Sequence, residues 1–398
     1  MLTTVEATSA IRRTVPAFDT ESVALDKAIG RVLRERVKAE RDQPPFDRVM
    51  MDGIAIRYAD LESGTTRFPV QSTQQAGDPA HTLDAGSCIE IMTGACLPEG
   101  ADCIVPVERI TVTDNAAEIE SGYEAAAKQF IHARASDHEQ GAELLRPGTR
   151  ITAADVAIIA SAGMPEVVVS KTPMIHVIST GNELVPAGEA IELHQIRMSN
   201  GLAVIAMLND HGYSNCEHDH LVDERDILTE RIAKHLAEAN VLILSGGVSM
   251  GKADYVPQVL TELGVEVVFH KVSQRPGLPM WFGIGPNKQA VFALPGNPVS
   301  TLVCCRQYVI PALANASAAS PRNPEFAALA QDVAFRPKLT CFLPAKLVSN
   351  ASGTVLALPV HTNTSGDFAS LTGTDGYVEL PLEQTHFETG ATVPLHRW

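Results

Sequence analysis

Residues 241–264 read VLILSGGVSMGKADYVPQVLTELG. Val241-Leu242-Ile243-Leu244 is a short unbroken apolar run, the pattern of a strand covered on both faces. It breaks into Ser245-Gly246-Gly247-Val248-Ser249-Met250-Gly251. Helical spacing then resumes, with Val256, Val259, Leu260 and Leu263 on one face and Gly264 as the stop. Strand, glycine-rich turn and helix together are how an α/β sheet offers backbone N–H groups to an anion. Glycines let the backbone come close to a phosphate, because no Cβ obstructs it. The stretch matches neither G-x-x-x-x-G-K-[ST] nor a clean G-x-G-x-x-G. A glycine turn that only packs helix on strand reads the same way, so its meaning depends on its surroundings.

On either side, residues 173 to about 316 alternate strand and helix. Ile175-His176-Val177-Ile178 runs into Ser179-Thr180-Gly181-Asn182-Glu183. Ser199-Asn200 caps a helix to Asn209, and Asp223 opens another over Glu224 to Glu238. Val265 to Val272 reads as a strand, as does Ala290-Val291-Phe292-Ala293-Leu294. The latter enters Pro295-Gly296-Asn297-Pro298, and Ser300 begins a long helix. The alternation predicts a largely parallel sheet with helices on both faces. Such sheets bind ligands beyond the carboxyl ends of their strands. Loops 179–183, 245–254 and 295–298 meet that condition.

The flanks differ. Residues 3 to 39 have helical spacing in two stretches, Val5 to Val15 and Leu25 to Val32. Gln43-Pro44-Pro45-Phe46-Asp47 forces extended backbone and suggests a domain crossing. Residues 53–134 carry short β-like runs between Gly, Pro and Asp, and Ile151 to Ala160 turns helical again. After Pro321 and Pro324 only short β runs remain. The expected division is a discontinuous helix-rich domain (1–42 and 135–172), an inserted small β domain (43–134), an α/β domain (173–318) and a C-terminal β domain (322–398).

A chain of 398 residues is long enough for two to four domains. A net charge of −16 leaves no basic surplus to displace counterions, which argues against nucleic acid. An anionic substrate must then be held by local cations, backbone dipoles or a metal. The seven cysteines form no C-x-x-C pair and read as reduced thiols. The first residues lack the apolar core of a signal peptide, and no run reaches membrane-spanning length. The expectation is a cytoplasmic protein with no membrane partner.

Glu183, Asp223 and Asp254 fall at the predicted ligand edge, where oxygen ligands beside phosphate suit Mg²⁺. Asp223 and Asp254 are equally suited to starting helices. Lys271 and Arg275 end a strand and enter a turn, where two cations can clamp an anion; as solvated surface charges they would look the same. His218 and His220 share one strand face, but no third ligand at fixed spacing supports a metal, and a polar edge strand is the simpler reading.

Several of these patterns occur together in one family. Met51-Asp52-Gly53, Met92-Thr93-Gly94, Ser179-Thr180-Gly181-Asn182-Glu183-Leu184, Ser245 to Gly251, Asp254-Tyr255 and Pro295-Gly296-Asn297-Pro298 appear in its order and approximate spacing. Over essentially its whole length the chain resembles the MoeA family, the molybdopterin molybdenumtransferases related to the C-terminal part of gephyrin. The resemblance implies a multidomain α/β fold: a largely parallel α/β sheet domain of the molybdopterin-binding type, a discontinuous helical domain and two small β domains. It implies a homodimer that inserts molybdate into adenylylated molybdopterin with Mg²⁺, releasing AMP and molybdenum cofactor. The active site would lie between the α/β domain of one subunit and the small β domain of the other.

Carried over by position, Asp52 and Thr93 resemble the active-site pair of the β domain, and Asp137 resembles an acid that follows the insertion. Glu183, Asp223 and Asp254 resemble the metal- and pterin-side acids, with Asp254 and Glu183 as metal ligands. Lys271 and Arg275 match two basic positions. Ser179, Thr180, Gly181, Gly246, Gly247, Ser249 and Gly251 match the phosphate-side loops. Pro295, Gly296, Asn297 and Pro298 match a pterin-side loop, and Ser365 resembles a hydroxyl of the last domain. The chain departs from the family at Leu278, where a lysine is frequent, and near Pro344, where an arginine is expected. The molybdopterin adenylyltransferase and molybdoenzyme-maturation proteins are the implied partners. Two other functions share parts of the pattern, the adenylyltransferase step itself and a non-catalytic scaffold. The β domain bearing Asp52 and Thr93 argues against the first, and the intact acids argue against the second.

Overall fold

A computed structural model describes residues 1–248 and 255–398. Its centre is a six-stranded sheet of β1 (Ile175–Thr180), β2 (Cys216–Leu221), β3 (Val241–Ser245), β4 (Glu266–His270), β5 (Trp281–Ile284) and β6 (Ala290–Leu294). The spatial order is β2-β1-β3-β6-β5-β4. β2, β1, β3 and β6 are parallel, and β5 runs antiparallel to both of its neighbours. Every residue of β1, β3 and β6 is buried.

The two-residue period explains why these runs are apolar throughout. Val241 and Ile243 join the cluster on one face, with Val177, Phe292, Val204 and Leu313. Leu242 and Leu244 join the other, with Leu228, Ile232, Val256, Val259 and Leu260. Each such side chain contributes about 1.5–3 kcal/mol by leaving water. The covering helices are Asn200–Asp210, Arg225–Glu238, Val256–Glu262 and Pro298–Cys304, the last continuing through a π turn into Ile310–Ala316.

The N-terminal helix, Thr4–Thr14, starts at a capping box between Thr3 and Glu6. Its Ala7, Ala10 and Ile11, with Val15 after it, pack in the cluster of Ile175 and Ile243. This helix therefore covers the central sheet instead of joining residues 135–172. The second expected helix, Leu25 to Val32, is absent. Thr20–Ala24 is a strand paired antiparallel with Glu166–Ser170. A single 3-10 turn follows at Leu25–Lys27, Gly30 takes φ +77°, and Val32 bridges to Arg150. Strand pairing wins over the helical spacing here, because Val23 and Leu25 pack against Leu33, Val167 and Val169. The helix Ala153–Ser161 forms as expected, with Thr152 and Asp155 as its capping box. Among the described residues of 1–42 and 135–172, only these two segments are α-helical.

The strands between residues 53 and 119 form a separate six-stranded sheet. In the last part of the chain, Thr340–Ser349, Val355–Pro359, Glu325–Leu329, Thr392–Arg397 and Gly376–Leu380 each pair with two of the others and close the sheet on itself. Closure leaves few unpaired edges. Gln274–Arg275, from the central region, joins this barrel beside Thr340–Cys341.

Candidate active site

Three loops leave the carboxyl ends of β1, β3 and β6 side by side, and Gly181, Gly246 and Gly247 each sit where a side chain would collide. Gly181 has φ +147°, and a Cβ there would lie 2.6 Å from the Glu183 carboxylate. Gly246 has φ +105°, and its Cβ would lie 2.5 Å from the Thr180 carbonyl oxygen. At Gly296 an added Cβ would stand 3.4 Å from the Gly246 Cα, and the Gly246 N–H donates to the Leu294 carbonyl oxygen at 3.3 Å, so the loops after β3 and β6 leave the sheet close together. The loop after β1 is held by β2: His220 Nε2 donates to the Gly181 carbonyl oxygen at 2.8 Å. His218 Nε2 lies 3.0 Å from Ser179 Oγ. Burial depresses the His218 pKa, with His220 adding to the effect and the Asp219 carboxylate opposing it. These two histidines sit on the edge strand and bind loop atoms, and among the described residues neither joins a metal cluster.

Side chains from the helices complete the frame. Asn200 Nδ2 donates to Ser245 Oγ at 3.0 Å and to the Gly296 carbonyl oxygen at 2.7 Å. Thr301 Oγ1 donates to the Pro295 carbonyl oxygen at 2.6 Å. Asn297 Nδ2 donates to Ser365 Oγ at 2.6 Å, and the Val299 N–H donates to the Ser365 carbonyl at 3.1 Å. The C-terminal barrel's long loop thus touches the 295–298 loop, with Pro298 as the first residue of the helix behind it. Thr180 Oγ1 is buried against Gly246 and Gly247 with no hydrogen-bond partner among the described residues. Gly247 has φ +63°, a left-handed value that favours glycine.

The charged candidates are spread around this edge. Glu183 is exposed, and its carbonyl accepts from Ile196 N at 2.8 Å. Asp223 is joined to the β1 loop, its N–H donating to Asn182 Oδ1 at 2.9 Å. The helix after it begins at Arg225 with Glu224 as its N-cap, so Asp223 lies in the turn rather than at the cap. Likewise, the Ser199 side chain makes no capping bond. Lys271, at φ +74°, follows β4, and exposed Arg275 lies on the barrel's added strand. Asp254, Ser249 and Gly251 lie outside the described residues. Mg²⁺ takes oxygen donors, and one or two carboxylates with waters and substrate phosphates suffice. Glu183 offers such a carboxylate beside the Gly181 backbone, so the residues present fit that ion. Among the described residues no three His, Cys, Asp or Glu side chains converge into a dedicated cage.

Asp52 and Thr93 do meet. Asp52 Oδ1 accepts from both the N–H and the hydroxyl of Thr93, each at 2.6 Å. The hydroxyl bond first, and the backbone bond second, hold the Asp52 carboxyl below its ordinary range. Both residues are exposed, in turns beside a sheet that, among the described residues, shares no strand pairing with the central one. Gly53 follows at φ +156°, and a Cβ there would lie 2.0 Å from the Val105 carbonyl oxygen. Asp137 Oδ1 lies 3.0 Å from His132 Nε2, and Arg48 lies 3.0 Å from the other ring nitrogen.

Comparison with known proteins shows the family. Family models for the MoeA N-terminal region (domains I and II), a probable molybdopterin binding domain and the MoeA C-terminal region (domain IV) match residues 2–163, 176–315 and 327–398. The molybdopterin molybdenumtransferase of Synechocystis sp. is 37% identical over 400 residues, covering 100% of both chains.

The chain belongs to the MoeA family of transferases.

Another MoeA relative, the molybdopterin molybdenumtransferase of Bacillus subtilis, is 31% identical over 95% of this chain and 89% of its own. The solved MoeA structure from Pyrococcus horikoshii superposes with a TM-score of 0.83, at 26% identity and 100% coverage of both chains. This MoeA chain has the multidomain α/β fold read from its sequence. Asn200 and Thr301 are frame residues that the sequence reading assigned no such role. Ser199-Asn200 reads as a helix cap, and nothing local distinguishes a capping amide from one that spans two loops.

Proposed function

We propose that this chain is a molybdopterin molybdenumtransferase, inserting molybdate into adenylylated molybdopterin with Mg²⁺ and releasing AMP in molybdenum cofactor biosynthesis. The observation that carries the reading is the meeting of the 179–183, 246–248 and 295–298 loops at the strand ends. There, the missing side chains at Gly246 and Gly247 let the turn close onto Thr180, and the Gly181 and Gly246 N–H groups donate to the Leu221 and Leu294 carbonyl oxygens, which fixes the three loop ends around one edge of the sheet. Full-length similarity to proteins named for this activity supports the choice of ligand.

In this reading the loop amides that are not committed to neighbouring strands bind the phosphates, and the loops orient the pterin. Glu183, with Asp254, would hold Mg²⁺, which supplies charge neutralisation along the pyrophosphate linkage. Lys271 and Arg275 hold the molybdate oxyanion. Pro295 and Pro298 stiffen the pterin-side loop. Asp52, kept ionised by Thr93, accepts a hydrogen bond from a water or from substrate. Because that pair sits exposed beside a separate sheet, we place it in the site of a second copy, which makes the working unit a homodimer. The domain division at about residues 43, 135, 173 and 322 belongs to the same proposal, with helix Thr4–Thr14 reassigned to the central unit. We place the enzyme in the cytoplasm, receiving substrate from an adenylyltransferase and passing cofactor to maturation proteins. No helix among the described residues is long and apolar enough to cross a membrane.

The test is AMP release from adenylylated molybdopterin supplied with molybdate and Mg²⁺. Molybdate-dependent AMP release is the expected result. Purified protein that releases none under these conditions refutes the reading and leaves the scaffold alternative.

A further inference from the structure

Helix Asn200–Asp210 begins at the point where all three loops meet. Gly201 has no room for a side chain: a Cβ would stand 2.1 Å from His218 Nε2 and 2.7 Å from Ser179 Oγ. The helix start is therefore pressed onto the end of β1. One residue earlier, the Asn200 amide reaches the other two loops. The Gly296 carbonyl oxygen can only accept, so the atom facing it at 2.7 Å is the NH₂ group. Its second proton then points to Ser245 Oγ at 3.0 Å. Ser245 Oγ lies 3.4 Å from Thr301 Oγ1, which donates in turn to the Pro295 carbonyl oxygen. Just beyond this bridge a Cβ on Gly296 would come within 3.4 Å of the Gly246 Cα, so the two turns run close together.

We propose that Asn200 is a positioning residue for the ligand loops. Its single amide nitrogen sets the spacing between the glycine turn and the 295–298 loop, so that both meet the pterin nucleotide as one surface. The proposal rests on the transferase reading for the identity of the ligand but not for the geometry. Ligand amides must converge to well under 1 Å, and displacement on that scale costs up to about a hundredfold in rate. An aspartate at this position keeps the shape and loses both donors, and it faces the Gly296 carbonyl with an oxygen. Alanine removes the bridge without adding charge.

The experiment compares wild type with Asn200→Asp, Asn200→Ala, Ser245→Ala and the Asn200→Ala/Ser245→Ala pair. Steady-state AMP release is measured with the pterin substrate and molybdate varied separately. Asn200→Asp and Asn200→Ala are expected to lower kcat/KM for the adenylylated pterin by 10- to 100-fold and to leave the KM for molybdate within about twofold. Ser245→Ala is expected to cost less, and the pair no more than Asn200→Ala alone. A purely structural role would lower the melting temperature and both substrates' parameters together. That result overturns the proposal, as does wild-type kcat/KM in Asn200→Ala. AMP binding by calorimetry runs in parallel on the same proteins. If wild type binds AMP but releases none, the transferase reading fails while the Asn200 inference is still decided by whether the variants lose AMP affinity. If wild type neither binds nor releases AMP, both fall.

Discussion

Gly246→Ala puts the reading of the glycine turn to its sharpest test. The added methyl would lie 2.5 Å from the Thr180 carbonyl oxygen and 2.8 Å from Thr180 Oγ1. Ordinary contact begins near 3.4 Å, so the backbone must separate by about 0.9 Å (3.4 − 2.5). The obstacle is main chain, which cannot swing away as a lysine tip would. Alanine at φ +105° adds strain of roughly 1–3 kcal/mol. Relief by moving the turn away from β1 shifts the 246–248 amides by most of that 0.9 Å. Misplacement of that size costs about a hundredfold in rate, equivalent to roughly 2.7 kcal/mol.

Gly30→Ala is the matched control. Gly30 has φ +77°, but nothing lies within 4 Å of its missing Cβ. It carries a similar backbone penalty without the collision, far from the ligand loops. AMP release and thermal melting are measured for both variants. Gly246→Ala is expected to lose 30- to 300-fold in kcat/KM, and Gly30→Ala to stay within about twofold with a modestly lowered melting temperature. If Gly246→Ala turns over like wild type, the turn does not present its amides to substrate. If Gly30→Ala loses as much activity, backbone strain alone is responsible, and the argument from close approach fails.

Two further outcomes follow from the charged groups. Thr93→Val removes the hydroxyl bond to Asp52 and keeps the N–H bond, so the Asp52 carboxyl rises toward its ordinary range. The acid limb of the AMP-release profile should then move to higher pH; an unmoved limb would mean that Asp52 does not set it. His176 is buried and shares a 2.8 Å contact with His235, and burial first, then His235, lowers its pKa from 6.5. The unfolded chain therefore takes up this proton first as pH falls below about 6.5, and stability present above that pH is lost on descending through the lower folded value. Denaturant midpoints at pH 7.5 and pH 5.5 should differ more for wild type than for His176→Phe, whose equal slope would show that the proton goes elsewhere.

The runs that became β1, β3 and β6 were legible because a strand covered on both faces must be apolar at every position. β5 was not. Trp281-Phe282-Gly283-Ile284 carries a glycine in mid-strand, which counts against a strand on sequence grounds. The folded reason is local: a Cβ at Gly283 would stand 2.6 Å from the Trp281 ring and 2.7 Å from the Glu266 carbonyl oxygen. Leu25 to Val32 misled for the opposite reason, since its helical spacing fits equally well around a 3-10 turn and two bridges. In the site, glycines were legible because close approach leaves a composition mark. Asn200 left none, because its partners lie 45 and 96 residues away. The Asp52–Thr93 contact spans 41 residues and came from family resemblance, not from spacing.

The C-terminal barrel packs on two elements of the candidate site as well as closing the fold. Tyr308 donates to Gln274 Oε1, and Gln274 Nε2 donates to the Pro276 carbonyl oxygen at 3.0 Å, which anchors the turn that carries Arg275. The same two-residue strand pairs with Thr340–Cys341 of the barrel. On the other side, Val299 and Val303 behind the 295–298 loop pack on Phe342 and Tyr377, with Leu371 and Trp398 against them. Ser365 then bonds Asn297 directly. One cation and one ligand loop are thus each shared between the central sheet and the barrel. Strand pairing, the Ser365 hydrogen bonds and apolar packing together tie Arg275 and the 295–298 loop to the same barrel, so a shift of the barrel would move both. That coupling brings a residue of the last domain, Ser365, to Asn297, 68 residues before it, at the edge of the candidate site.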